Sequence, residues 1–222
     1  MRSRRKKLKY DAANCLFMLR PIGKHVAVPS KTEITHIVSH FRTSYPAEEQ
    51  CHNYVKAHVM GARRVAEQLI EQLARKGITV NRKLVFATID LHDAAKHVEG
   101  VDHEEAVAEK LSGHYPVLAE MITRDPSLSA RNLSLEHRLF MYADWRSSGY
   151  IVSLERRRRS LLTRYADVAR INSSYRRMLE FERELKALGI DTRVGNPLRE
   201  TMQMLHVRKR TIPPQLPALK RK

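Results

Sequence analysis

An all-α fold is predicted for this 222-residue chain by three observations. Apolar residues recur at i, i+3, i+4 and i+7 along much of its length, the period of a helix buried on one face. Hydrophobic residues make up 42% and aromatic ones 6%, so the core is aliphatic, which suits helix-on-helix packing better than stacked sheets. No stretch alternates convincingly between apolar and polar residues as a half-buried strand does. The length allows one sizeable core with appendages, and two full domains would be a squeeze.

The elements follow in chain order. Residues 1–10 hold six Lys/Arg and read as a basic arm, with irregular or mixed structure over 11–45. Within that lead-in, "TEITHIVSHF" (32–41) carries Ile34, Ile37, Val38 and Phe41 at the spacing of a short amphipathic helix. A longer helix is expected from Pro46, a residue suited to a first turn, with Glu48 and Glu49 at the positive end of the dipole and Gly77 as its stop. Its apolar stripe is Ala62, Val65, Ala66, Leu69 and Leu73, and one turn earlier that stripe meets His58. Asn81 caps the next segment, "NRKLVFATIDLHDAAKHV", expected to stay helical until just before Gly100. Short helices follow in "HEEAVAEKLSG" and "YPVLAEMITR", then "SLEHRLFMYADWRSSG" between a Ser134 cap and Gly149. Residues 150–188 read as one long helix or two, closing at Gly189, before the Pro-containing basic tail "TIPPQLPALKRK".

The charge is the most pronounced feature of the composition. Net charge is +17, and twelve of the 41 basic residues sit in 1–10 and 206–222, segments expected to be flexible. A third block, "ERRRR" at 155–159, lies in a helical region. Such charge reads either as solvated tails and one charged helix face or as attraction to a polyanion such as nucleic acid or an acidic membrane surface. The aromatic interleaving that stacks bases is missing. Cys15 and Cys51 form no metal-ligand or disulfide pattern, and no run approaches the roughly 20 apolar residues of a membrane span. Arg20 and Pro21 close the short apolar patch "CLFML" too early for a signal peptide, so the expected compartment is the reducing cytoplasm.

Chemistry enters where ionisable groups fall on faces that should be apolar. His58 continues a buried stripe. His92 and Asp93 follow Val85 and Ile89 at helical spacing, and Asp144 follows Leu133, Phe140 and Met141. A buried unpaired carboxylate costs several kcal/mol, so two of them beside two histidines call for compensation. One divalent ion compensates all four, and imidazole with carboxylate suits Mn²⁺, Fe²⁺, Mg²⁺, Ni²⁺ or Zn²⁺. His52, six residues before His58, is an alternative first ligand that lies off the stripe. His137 shares the face of Asp144, as a supporting group or an ordinary core histidine.

The ordered set His…His-Asp…Asp, in the settings "HVMGARRVAEQL", "ATIDLHDAAK" and "FMYADWRSS", resembles the HD-domain metal-dependent phosphohydrolases over roughly residues 50–150. The resemblance implies a helical domain with His58, His92, Asp93 and Asp144 as metal ligands. It implies hydrolysis of a phosphate ester or anhydride, with a nucleotide or related phosphorylated molecule as substrate and a metal-activated water as nucleophile. Asp93 would also help orient that water, and Lys96, on the same face, would reach a substrate phosphate. Arg146, beside the last ligand, would hold a phosphate as well. Trp145 either stacks on a base or packs. Two-metal members carry further histidines; "VDHEEAVAEKL" offers His103, but "MITRDPS" has none where a pair is expected. One metal is therefore expected, with His103 lining the pocket or carrying a proton. "AAKHVEG" lacks the Glu-Asp signature of the guanosine-tetraphosphate hydrolases. The chain so divides into a lead-in (1–45), an HD-type domain (46–150), a helical extension (151–190) and a basic tail (191–222). The competing reading is a nucleic-acid-associated protein that uses this fold as scaffold and its basic termini for binding.

Overall fold

The computed structural model describes residues 21–22, 26–45, 49–123 and 133–193. Both basic termini, Cys15, Pro46 and the segment 124–132 lie outside them. The described residues form eight helices: α1 (Lys31–Ser44), α2 (Glu49–Arg75), α3 (Arg82–Leu91), α4 (His103–Ser112), α5 (Pro116–Thr123), α6 (Leu135–Trp145), α7 (Leu154–Leu162) and α8 (Val168–Ala187). The fold is all-α, and none of these helices is long and apolar enough to cross a membrane.

Local chemistry starts and stops the helices as the sequence suggests. The Ser30 and Glu33 side chains bond each other's backbone N–H in a capping box at α1. Asn81, Asp102, Ser134, Ser153 and Asp167 each accept an N–H from the first turn of α3, α4, α6, α7 and α8. Gly77 and Gly189 end α2 and α8 at φ 76° and 74°, left-handed conformations that a residue with Cβ adopts only at a cost.

Burial organises the rest. Every residue of the α2 stripe (Ala62, Val65, Ala66, Leu69, Leu73) has no exposure, and His58 extends it at 1%. Each buried leucine contributes about 1.5–3 kcal/mol. The central helix is α6, in which every residue but Asp144 is buried; a helix apolar only on one stripe could not occupy that place. It packs against α2, α3 and α8, while α4 pairs with α5 and α7 with α8. The expected helical extension shares the main hydrophobic cluster through Leu154, Ile171, Met178, Phe181 and Leu185. Arg138 of α6 ties it further, pairing with Glu184 and lying over the Phe181 ring. Buried Glu136 accepts the backbone N–H of Ile22 at 2.7 Å and of Asn81 at 2.9 Å, pinning the lead-in to the start of α3.

One alternative is decided and one expectation changes. Of the one helix or two read over 150–188, the chain forms two, because Ser153 caps α7 and Asp167 caps α8. The His-Asp segment does not stay helical to 98: α3 ends at Leu91, and i→i+3 bonds follow (Ala94 N to Leu91 O 2.9 Å, Lys96 N to Asp93 O 3.1 Å, Val98 N to Ala95 O 2.9 Å). The cause lies at Ile89. Its carbonyl, which would accept from residue 93 in a continuing helix, meets His92 Nδ1 at 2.8 Å instead.

Candidate metal centre

Three segments distant in sequence meet where the first half of α2 faces the C-terminal ends of α3 and α6. His58 lies in the first half of α2, His92 and Asp93 in the turn after α3, and Asp144 one residue before the end of α6. A glycine sets how closely α2 and α6 approach. A Cβ on Gly61 would stand 2.5 Å from Ser147 Oγ, the hydroxyl that donates to the His58 carbonyl at 2.7 Å. Alanine there would gain about 1 kcal/mol of helix propensity and lose a bond of similar worth, nearly cancelling. Gly61→Val leaves no such balance: we expect overpacking to cost about 1–3 kcal/mol in a urea melt. A midpoint unchanged from the unsubstituted protein would show that the approach is not tight.

The ligand atoms of His58, His92 and Asp93 lie within 4.8 Å of one another, and all three residues are buried. His92 Nε2 stands 3.6 Å from Asp93 Oδ2 and 3.4 Å from Asp144 Oδ1; His58 Nε2 stands 3.7 Å from Asp93 Oδ2. These separations exceed the ~3.2 Å of a good hydrogen bond. Ligand bonds of about 2.1 Å put neighbouring donor atoms about 3.0–3.4 Å apart at right and tetrahedral angles; the His92–Asp144 separation has that length and the two to Asp93 are slightly longer, so a small inward shift would close the set on an ion. The fourth contact, His58 Nε2 to Asp144 Oδ1 at 2.7 Å, is a hydrogen bond. His92 Nδ1 donates to Ile89 O, which leaves Nε2 as the atom available to ligate, and Nε2 is buried with no hydrogen-bond partner among the described residues. His58 Nδ1 is likewise buried without one. The buried His58, His92 and Asp93 group can hold a metal ion.

Electrostatics sort the four by protonation. Burial opposes the charge of Asp93, but the Lys96 ammonium and the His92 ring hold its carboxyl well below the usual carboxylate range. Burial opposes that of Asp144 too, and the hydrogen bond from His58, with the His92 ring close by, holds it well below the usual carboxylate range. Burial pushes the His58 imidazole down despite Asp144. At His92 burial also opposes charge, yet Asp93 and Asp144 overcome it, and the imidazole is pushed up to about 9. In the ion-free protein, a proton on His92 thus balances the carboxylates.

Most of the other expected site residues gather here. Lys96 Nζ donates to both Asp93 oxygens at 2.7 Å through the tight turn, not across a helical turn. Burial opposes its charge and Asp93 outweighs it, so Lys96 stays an ammonium. His103 Nε2 stands 3.3 Å from Asp93 Oδ1 with a third of its side chain exposed. Arg146 does not join them. Its guanidinium donates to Val152 O, Tyr142 Oη and Thr192 O, fastening the end of α6 to the segments around it. His52 packs edge-on against His97, away from the cluster. His137 is buried beside Phe140, and Trp145 is buried against Tyr175.

Sequence reasoning passed over three neighbours. The Tyr54 ring stacks on His58 at 6.3 Å between centroids. Glu104 feels His103, His92 and Asp144, and burial pushes its carboxyl up. Arg157, read as part of a solvated basic block, is 6% exposed. The others of that block are Arg156, over the Tyr150 ring, and Arg158 and Arg159, paired with Glu155. A signal for Arg157 was present: it falls three residues after Leu154 and four before Leu161, on the apolar stripe of α7. No protein-family model, curated protein or solved structure matches this chain.

Proposed function

We propose that this chain is an HD-type metal-dependent phosphohydrolase acting on a nucleotide or related phosphate ester. His58, His92, Asp93 and Asp144 hold one divalent cation. Such an ion supplies a Lewis acid toward a phosphoryl oxygen and an acidified water as nucleophile. The observation that carries the reading is the convergence of buried ligand atoms from His58, His92 and Asp93 within 4.8 Å of one another. Single-file sequence proximity cannot produce it, because His58 and His92 belong to different helical segments.

The chain's own groups divide the remaining work. Asp93 turns Oδ2 toward the two histidines and Oδ1 toward His103, so one oxygen binds the ion while the other orients the attacking water. Lys96, ammonium at neutral pH and partly exposed, meets the substrate phosphate. His103, on the open side, moves the proton to or from the departing group.

Metal analysis of protein purified without chelator tests this, followed by a screen of phosphorylated nucleotides with Mn²⁺, Mg²⁺ or Ni²⁺ added. The expected result is about one ion per chain and turnover of at least one nucleotide that stops with chelator. Protein that neither carries nor takes up an ion would overturn it. The net charge of +17 favours a second reading, a binder of nucleic acid through the termini. There, deletion of 1–10 and 208–222 removes binding, and binding falls steeply with salt.

A further inference from the structure

The Arg157 guanidinium is the buried charge that the metal centre leaves unexplained. Arg157 lies one turn into α7 at 6% exposure; a hydrogen bond joins its side chain to Tyr54, while its Nε and Nη1 find no acceptor among the described residues. A buried polar group without a partner costs about 1–3 kcal/mol, and more when charged. The groups whose charge it feels most strongly are Asp144, Tyr54 and Asp93, so it faces the metal centre rather than solvent. It is also close enough to Lys96 for the two cations to repel. Two like charges that feel each other at a buried site, one with two donor nitrogens unfilled, are what an oxyanion would offset.

Resting on the reading above, we infer that Arg157 is a phosphate-binding residue, whose planar fork and the Lys96 ammonium receive the phosphoryl oxygens of the substrate on the Asp144 side of the site. Charge bookkeeping supports an anionic ligand. Lys96 and Arg157 balance Asp93 and Asp144. A divalent ion on neutral histidines then leaves two positive charges in excess, of which Glu104 offsets at most one. Arginine suits the place because its donors match two phosphate oxygens at once, which a lysine cannot do. Tyr54 stacks on the His58 ring and feels the Arg157 charge, which ties Arg157 to the His58 side of the centre.

Inorganic phosphate is the probe, titrated calorimetrically into the full-length protein with and without Mn²⁺, beside metal analysis of each variant. Arg157→Gln is expected to weaken phosphate binding at least tenfold and to abolish the rise in melting temperature that phosphate causes, with metal content unchanged. Arg157→Lys is expected to recover part of the affinity, which keeps the test usable where the glutamine variant folds poorly. With the screened nucleotide, KM should rise more than kcat falls. Phosphate affinity within twofold of the unsubstituted protein in the glutamine variant would overturn the inference, as would a lowered melting point with phosphate binding intact, the mark of an arginine that merely balances Asp144. Failure of the wider reading looks different: no metal uptake and no turnover, with Arg157-dependent phosphate binding still present.

Discussion

Replacing Asp93 with asparagine should lower metal-dependent turnover by at least about a thousandfold and leave the protein folded. Asparagine keeps the volume of the side chain in a site with almost no exposure, so packing survives. What it loses is charge. The Asp93 carboxylate faces both histidines, His103 and Lys96, and a neutral amide cannot offset a divalent ion or hold the lysine. On the proposed reading, several kcal/mol of transition-state stabilisation would depend on that ion, which is three or more orders of magnitude in rate. Metal content should fall with the activity, and binding to a polyanion through the termini should be untouched. Asp93→Ala removes the Lys96 partner as asparagine does and adds a cavity and the loss of every polar contact, for a stability penalty of about 3–5 kcal/mol. Circular dichroism and metal analysis on both variants separate the two effects. An asparagine variant that keeps turnover within tenfold of the parent would sink the metal-centred reading.

Metal uptake should strengthen as pH rises, about tenfold per unit from pH 6 to about 9. The sign follows from His92, whose imidazole is pushed up to about 9 in the ion-free protein by Asp93 and Asp144. An ion can bind Nε2 only after that proton leaves, so every unit below 9 costs a factor of ten. The other ligands contribute no further proton near neutrality: both carboxyls are held far below their usual range, and His58 is held neutral. Calorimetry at pH 7 in two buffers of different ionisation heat should count one proton released per ion. A count of zero would mean that His92 is not a ligand. The same group predicts an opposite trend for the ion-free fold. Its pKa is raised over that of the unfolded chain, so its stabilising contribution is complete below about pH 6.5 and disappears as pH climbs to about 9. Melting temperature should therefore fall over that window without metal and hold steady with it.

The helical course of the chain was legible because its signals are local. Ala62, Val65, Ala66, Leu69 and Leu73 announce the buried face of α2 by spacing alone, and Ser134, Asn81, Gly77 and Gly189 mark ends through groups that bond within their own turn. His58, His92, Asp93 and Asp144 were legible for a related reason: a charged or ligating side chain on an apolar stripe has to be compensated, and the stripe is visible in the sequence. The turn at His92 was hidden, because it depends on a side-chain nitrogen capturing the Ile89 carbonyl, an outcome that periodicity does not encode.

Arg146 and Arg157 draw the line between the two kinds of information most sharply. Adjacency to Asp144 suggested a site role for Arg146, yet its acceptors are Tyr142, Val152 and Thr192, two of which lie beyond its own helix. Arg157 stood among four arginines with nothing but its register on α7 to set it apart, and the fold buries its guanidinium within the electrostatic reach of carboxylates 13 and 64 positions away. Helices, caps and ligand types depend on residues a few positions apart, so composition and spacing are enough for them. Which cation faces the ligands depends on how separate helices pack, and that is settled only when the whole core closes and each charge must find a partner away from water.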